Sequence, residues 1–445
     1  MKKLERRAIL FLLLAAALVA GLCLFMYRYI TQGDDWVTQP YNTHLYSNGT
    51  QVAGTIYDVN GEMLISGEGN KVSFAKGSTV RKATAHAVGD PAGNVATGAI
   101  NAYKDDLAGY NLITGTYRVS GKQKALTLTI DKDICETAYE ALDGRKGCVG
   151  VYNYKTGEII CMVSAPSFDP KHMPKDPKEG TYVNKFLSAT MIPGSIFKLV
   201  TSAAAIENYS GLDDWSTDCS GSKKYGGQRI TCTYAHGHVN FKSALAHSCN
   251  VGFAELANKV GAGTMEDYVD KLGLTTSYDI NGIHNAKGSF EFPAMDKLSL
   301  GWAGIGQWKD QLNPASMLVY MSAIATDGRG TVPKILHDGE PGERTDQMIE
   351  ESTAARLKKM MRNNVKKEYG EWNYPGLDIY AKTGTAEVGK GKEPNAWFTG
   401  FIDNEGYPYA FIVCVENGGT GSVVAGPVAN SVMQKVIETD SAKTE

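Results

Sequence analysis

The chain has 445 residues, enough for two or three domains, and its formal charge at neutral pH is only −3. That near-balance, with no basic run longer than a few residues beyond the N-terminus, offers nucleic acid no electrostatic footprint, so no nucleic-acid partner is expected. The N-terminus stands apart. Lys2, Lys3, Arg6 and Arg7 precede an uncharged apolar run from Ala8 to Met26, about 19 residues, long enough to span a bilayer as a helix. Basic residues before the run, and Asp34 and Asp35 after it, set the N-terminus inside. A cleaved signal peptide has a shorter apolar core, although the alanines between Ala15 and Ala20 leave a cleavage site open. A lipoprotein site at Cys23 wants a small residue before it and finds Leu22. The expectation is an uncleaved single-pass anchor in the cell membrane, with residues 1–7 cytoplasmic, 8–29 membrane-spanning and the remainder extracytoplasmic.

Beyond the anchor the chain is polar and rich in Gly and Asn to about residue 145. Gly54–Ile65 reads as two short strands around the turn pair Asn60-Gly61. Leu126–Ile130 alternates as a strand, and Asp131 is placed to cap a helix running to about Leu142. Strands follow at Cys148–Tyr152 and Glu158–Val163, joined by the turn Asn153–Gly157. From about 187 to 330 the pattern is mostly helical, with stretches at Phe241–Leu245, Asn250–Val260 and Pro314–Thr326. Strands return at Asp378–Thr383, Ala396–Phe401 and Tyr409–Val415, and a helix over about Ala429–Ile437 closes the chain. Two strands, then helices, then three strands and a helix predict an α+β (α/β) fold with one antiparallel sheet covered by helices.

Cysteine usage says little. Cys135, Cys148, Cys161 and Cys414 fall in apolar patterns and read as small buried hydrophobes. Cys219 and Cys232 bracket a Gly/Lys-rich loop with hairpin character; a disulfide there would contribute about 3 kcal/mol, but pairing needs geometry and stays open. The cysteines are not spaced for metal, and His236, His238 and His247 lack a supporting carboxylate or cysteine spacing, so neither metal nor cofactor is expected.

Chemistry concentrates around Ser195-Ile196-Phe197-Lys198, which follows the turn Pro193-Gly194. Ile196, Leu199, Val200, Ala203 and Ala204 form a helical apolar stripe, so Ser195 and Lys198 share a face. A lysine in an apolar surround loses its preference for charge and can act as base for a serine. The pattern alone is weak: an N-cap serine beside a solvated lysine is commoner, and Ser220-Gly221-Ser222-Lys223 also matches without a helix to carry it. Two further elements change the weighting, Ser248-Cys249-Asn250 between helices and Lys382-Thr383-Gly384-Thr385 in a strand. A second Lys-Thr-Gly at Lys155 lies in a hairpin turn and precedes the serine.

These three motifs, in this order and setting, resemble those of class B penicillin-binding proteins, membrane-anchored D,D-transpeptidases of peptidoglycan synthesis. The likeness extends to Gly54–Gly61, Leu128–Ala138, Tyr154–Ile159, Ser164–Pro170, His236-Gly237-His238, Gly304–Gln307 and Ala396–Phe401. It implies a small N-terminal pedestal over residues 30–145 and a transpeptidase domain over 146–440; so short a pedestal is similar to the small actinobacterial and clostridial-type members. It implies Ser195 as nucleophile, Lys198 as base, Ser248 as proton relay and Asn250 as a group that bonds substrate or holds Lys198. Lys382, Thr383 and Thr385 would bind the substrate carboxylate, Gly384 would let the substrate backbone approach, and the Ser195 and Thr385 amides would form the oxyanion hole. A nearby Lys382 would also help to keep Lys198 neutral.

The implied substrates are peptidoglycan stem peptides, with β-lactams as covalent ligands. The implied partner is a polytopic membrane glycosyltransferase, because about 115 residues between anchor and transpeptidase domain leave no room for a polymerising domain. A D,D-carboxypeptidase shares the acyl-enzyme, a β-lactamase would need a deacylating group that nothing here identifies, and a sensor or inactive scaffold would show extra membrane segments or a broken motif. Trp302, Trp308 and Trp397 read as core or cleft walls, and Glu387 as a cleft-edge charge.

Overall fold

The computed structural model describes residues 2–37, 54–68, 71–108, 110–111, 116–117 and 124–444. The polar stretch directly after the anchor, residues 38–53, lies outside them. Lys2–Val37 is one helix, and within Leu4–Thr31 an 18-residue apolar window has a mean hydropathy of 2.9 with none of it buried in the protein. A helix of that length and composition is long enough to cross a membrane.

Gly54–Tyr57 and Met63–Glu68 pair antiparallel around Asn60-Gly61, with Gly61 at φ +78°. The Asp58 carboxylate braces the turn by accepting from the amides of Asn60 and Glu62 at 3.0 and 2.8 Å. Lys71–Phe74 extends this sheet on one side, and Ala125–Thr127 pairs parallel on the other. The helix Ser78–Val88 packs on the helix Lys132–Leu142 and the strand Ile159–Ala165, so the N-terminal region is joined to the larger sheet by side-chain packing. Arg81 adds a two-pronged ion pair, its guanidinium meeting both oxygens of Asp169 at 2.7 Å.

The main sheet has five strands in the order Ile379–Ala386, Asn395–Ile402, Tyr409–Val415, Gly147–Asn153, Ile159–Ala165, every neighbour antiparallel. Every residue of Asn395–Ile402 and Tyr409–Val415 is buried, which is why those segments read as near-continuous apolar runs rather than alternating ones. The helices Lys132–Leu142 and Gly421–Thr444 pack together against the sheet. Asp131 caps the first, its carboxylate accepting from Asp133 and Ile134. Pro314–Ala325, buried along its whole length, touches the sheet and the helix Glu351–Asn364, and its Tyr320 hydroxyl donates to the Leu199 carbonyl at 2.9 Å.

Three local expectations change. Between the helices lies an exposed two-stranded ribbon, Ser216–Cys219 with Gly237–Asn240, whose mostly polar faces carry no apolar alternation to detect, beside the hairpin expected between Cys219 and Cys232, formed by Ser222–Tyr225 with Gln228–Thr231. The closing helix spans Gly421–Thr444, running through Pro427, which reads in sequence as a boundary. Ser195 sits in a 3₁₀ turn, Gly194–Phe197, and the α-helix begins only at Lys198.

Candidate active site

The 3₁₀ turn is what brings serine and lysine together. At three residues per turn, side chains at i and i+3 eclipse, and the Lys198 Nζ lies 2.9 Å from the Ser195 Oγ. The apolar stripe beneath is fully buried, with Ile196, Leu199, Val200, Ala203 and Ala204 all at 0 % exposure. Gly194 makes the turn possible. Its φ is +56°, its amide donates to the Gly306 carbonyl at 2.9 Å, and a Cβ there would stand 2.7 Å from the Thr385 carbonyl oxygen.

Ser248-Cys249-Asn250 links the helices Phe241–Ala246 and Asn250–Val260. Ser248 has φ +54°, a costly conformation for a residue with a side chain, and it turns both its carbonyl and its hydroxyl toward Lys198. Nζ of Lys198 lies 2.7 Å from the Ser248 carbonyl, 3.1 Å from its Oγ and 2.6 Å from Asn250 Oδ1. The Asn250 amide is held from its other end, Nδ2 donating to the Thr231 carbonyl at 2.7 Å. Of the two roles expected for Asn250, the geometry displays the one of holding Lys198.

Lys382, Thr383, Gly384 and Thr385 lie on the strand Ile379–Ala386. Nζ of Lys382 donates to the Ser248 Oγ at 3.0 Å and to the Thr383 carbonyl at 2.8 Å. The Thr383 N–H donates to the Tyr369 hydroxyl at 3.2 Å, away from the neighbouring strand. By the two-residue period of a strand, the Thr385 N–H points the same way, toward the turn that carries Ser195. Gly384 departs from expectation. A Cβ there would meet Trp397 Cβ at 2.9 Å, Ile196 Cγ2 at 3.0 Å and the Pro193 carbonyl at 3.1 Å. Its bareness seats the strand against the serine turn rather than making room for a substrate.

Both lysines have 0 % exposure. Burial pushes Lys198 down to about 7. Lys382 is pushed well below the ordinary lysine range, first by burial and then by the charge of Lys198. The like-charge effect therefore acts on Lys382, and burial is the dominant cause for Lys198, a correction to the expectation that Lys382 keeps it neutral.

A cleft opens over this arrangement. Ser195, Ser248, Asn250, Thr383 and Thr385 line it, while the two lysines lie beneath. Trp302 and Glu387 are at its wall, the Glu387 amide donating to Gln307 Oε1 at 3.1 Å. Trp397 is core, with Nε1 on the Ile192 carbonyl at 3.0 Å, and Trp308 is partly exposed beside Lys309. Sequence reasoning missed Thr231, Thr233 and His247 as cleft residues and Tyr369 as a brace for Thr383. His236-Gly237-His238 is the nearest available signal, since it lies between Thr233 and His247 in the chain and the His236 ring stacks on His247. The two decoys are elsewhere: Ser220 and Lys223 belong to an exposed ribbon, and Lys155-Thr156-Gly157 forms the turn between the strands Gly147–Asn153 and Ile159–Ala165.

The cysteine expectations also change. The sulfurs of Cys219 and Cys232 are 3.6 Å apart and unbonded. Ligand atoms of Cys219, Cys232, His236 and Cys249 all lie within 4.8 Å of one another, whereas His238 pairs with Asp218 and His247 with Glu368. No short spacing announces this cluster, because separate elements supply its members.

Comparison with known proteins agrees with this geometry. The family model of the penicillin-binding protein transpeptidase domain matches residues 147–434. A peptidoglycan D,D-transpeptidase PbpA of Mycolicibacterium smegmatis is 26% identical over 359 residues, 70% of this chain and 72% of that protein. Penicillin-binding protein 3 of Bacillus subtilis is 28% identical over 382 residues, 74% of this chain and 55% of that protein. Among solved structures, the ceftriaxone acyl-enzyme complex of penicillin-binding protein A from M. tuberculosis superposes with a TM-score of 0.73 at 22% identity, covering 88% of this chain and 99% of that one. A D,D-transpeptidase domain from Eggerthella lenta gives 0.73 at 23% identity, covering 87% and 98%. With a family match over most of its length, and a buried lysine set between two serines beneath a cleft, the chain belongs to the penicillin-binding protein transpeptidase family.

Proposed function

We propose that this protein is a peptidoglycan D,D-transpeptidase that cross-links stem peptides through an ester on Ser195 and is acylated there by β-lactams. The observation that carries this is the set of partners around Nζ of Lys198. Two of them, the Ser248 carbonyl and Asn250 Oδ1, can only accept, and they take two N–H bonds. What remains on nitrogen faces hydroxyls, Ser195 at 2.9 Å and Ser248 at 3.1 Å, and a hydroxyl can give or receive a proton. In the neutral amine that position is a lone pair aimed at the Ser195 O–H.

Lys198 takes the Ser195 proton as Oγ attacks the carbonyl carbon between two D-alanines. The developing oxyanion is met by the amides of Ser195 and Thr385. The C–N bond then breaks; the proton passes from Lys198 through the Ser248 hydroxyl to the departing amine, and D-alanine leaves. An amine of a second stem peptide attacks the ester by the reverse route, forming the cross-link and restoring Ser195. Thr383 and Thr385 hydroxyls bind the donor's carboxylate from the cleft, and Lys382 braces that strand from beneath through the Ser248 Oγ and the Thr383 carbonyl. No cofactor takes part in these steps.

The same reading divides the chain into a cytoplasmic segment 1–7, an anchor 8–29, a pedestal 30–145 and a transpeptidase domain 146–440, with the cleft outside the membrane. It assigns glycan polymerisation to a polytopic glycosyltransferase bound through the anchor and pedestal; repeated membrane co-purification without such a protein would count against that partner.

The test is incubation with a fluorescent penicillin beside Ser195→Ala. Labelling is expected on the wild type alone, and labelling that survives the substitution would overturn the assignment. A stem-peptide donor supplied with a D-amino-acid acceptor should yield the exchanged peptide. Release of D-alanine with hydrolysis alone would mark a D,D-carboxypeptidase, and rapid loss of the penicilloyl group would mark a β-lactamase.

A further inference from the structure

Beside the cleft, four ligand atoms converge from separate parts of the chain. Cys219 ends the strand Ser216–Cys219, Cys232 follows the strand Gln228–Thr231, His236 precedes the strand Gly237–Asn240, and Cys249 caps the helix Asn250–Val260. Sγ of Cys219 is 3.6 Å from Sγ of Cys232 and 3.4 Å from Nδ1 of His236, and Sγ of Cys232 is 3.9 Å from Sγ of Cys249. A tetrahedral zinc with Zn–S about 2.3 Å and Zn–N about 2.05 Å has ligand–ligand edges of about 3.5 to 3.8 Å. The three edges of 3.4, 3.6 and 3.9 Å lie around those values, and the remaining pairs fall within 4.8 Å. A disulfide needs sulfurs about 2.05 Å apart and would leave the third thiol without a purpose.

The surroundings favour thiolate. The N–H of Val251 donates to Sγ of Cys232 and the N–H of Gly252 to Sγ of Cys249, each at 3.4 Å. These are first-turn amides of an 11-residue helix, pointing the positive end of its dipole at two sulfurs. Cys219 and Cys249 are buried, and the His236 ring is held between Tyr234 and His247, with centroids at 4.3 and 5.6 Å. Three soft sulfurs and an imidazole suit zinc and exclude magnesium or calcium.

We propose that Cys219, Cys232, His236 and Cys249 bind one structural Zn²⁺ that fastens the exposed ribbon to the Ser248–Asn250 loop. Binding releases the three thiol protons to solvent and changes no oxidation state. Because Cys249 stands between Ser248 and Asn250, the ion holds both partners of Lys198 in place. Cys249 is thus a positioning residue. The metal assignment stands by itself; its effect on reactivity rests on the acyl-transfer reading.

The full-length protein, purified in detergent without chelator, is assayed for metal by mass spectrometry. About one zinc per chain is expected in the wild type, with about a tenfold loss in Cys219→Ser and in His236→Ala. Cobalt in place of zinc should give thiolate charge-transfer absorption and the intense visible bands of tetrahedral Co²⁺. Wild-type protein that neither carries zinc nor takes it up from buffered solution, or a Cys219–Cys232 disulfide in its peptides, would overturn the site whatever the variants do. Stripping zinc from the wild type should lower the melting temperature and slow labelling by fluorescent penicillin, and zinc should restore both. Labelling that is indifferent to zinc would overturn the positioning role alone. Labelling that is lost in Ser195→Ala but normal in a wild type that neither carries nor takes up zinc would sink the metal site and leave the enzyme assignment intact.

Discussion

Lys198 and Lys382 meet at one hydroxyl, their side-chain nitrogens lying 3.1 and 3.0 Å from the Ser248 Oγ. Burial holds both lysines below their ordinary range, and the charge of Lys198 lowers Lys382 further, so the two do not both carry a full charge, and the Ser248 hydroxyl joins them. The proton path of the proposed reaction therefore runs through a group that never touches the scissile carbon.

Ser248→Ala removes that common oxygen and leaves the fold otherwise supported. The second-order rate of acylation by a β-lactam should fall by about 10²- to 10³-fold, with little change in melting temperature. An unchanged acylation rate would remove Ser248 from the proton path.

Lys198 serves as a base only without its proton, and burial pushes it down to about 7. Acylation should rise about tenfold per pH unit below about pH 7 and level off above it. Lys198→Arg holds its charge at every pH and should abolish the rise together with most of the activity. A wild-type profile flat between pH 5 and 9 would contradict the role.

Gly194→Ala places a Cβ 2.7 Å from the Thr385 carbonyl at a φ of +56°. The cost should be about 1–3 kcal/mol, and the turn should move away from the strand. Acylation should drop more than stability does, measured as labelling rate against denaturant midpoint.

The Arg81–Asp169 pair has side-chain exposures of only 10% and 9%. Arg81→Ala removes the two-pronged partner, leaving the carboxylate only the Lys171 amide and the exposed His172 ring, and should cost about 3 kcal/mol. The Arg81 guanidinium holds the Asp169 carboxyl well below the usual carboxylate range. Its stabilisation is therefore complete above about pH 4 and disappears as pH falls further. The stability gap between wild type and Asp169→Asn should close over that acid window, as followed by denaturant titration.

His86 is buried with its Nε2 2.8 Å from the Thr181 carbonyl, and burial pushes it down to about 4. The unfolded chain, with an ordinary histidine near 6.5, binds the proton first. Stability should be intact above about pH 6.5 and erode by about 3 kcal/mol as pH falls toward 4. His86→Gln should flatten that stretch of the curve.

Much of this was legible in sequence because it rests on short-range patterns. The strand Tyr409–Val415 and the helix Asn250–Val260 were read at their observed limits, since continuous apolar runs and helical stripes carry their own signal. Ser195, Lys198, Ser248, Asn250 and Lys382 were recognisable by company, and the fold draws their polar atoms together. What escaped depends on contacts between distant segments. Nothing near Cys249 points to Cys219, 30 positions earlier, and nothing near Gly384 says that its missing Cβ faces Ile196. The brace from Tyr369 to Thr383 was invisible for the same reason, an isolated tyrosine in a polar stretch.

Among the described residues, the strand bearing Lys382 is the outermost of its sheet, paired on one side only. Toward its start, the free side is claimed by Arg362 on the Ile379 carbonyl, Asn364 on the Ala381 carbonyl and Tyr369 on the Thr383 amide. Past Thr383 it faces the cleft and the turn that carries Ser195. On the acyl-transfer reading, an extended donor peptide entering the cleft would lie along this edge, read through its main chain rather than its side chains. Such an enzyme would accept donors of varied sequence so long as their backbone lies straight, and a rigid cyclic amide presenting the same outline would be taken for one of them.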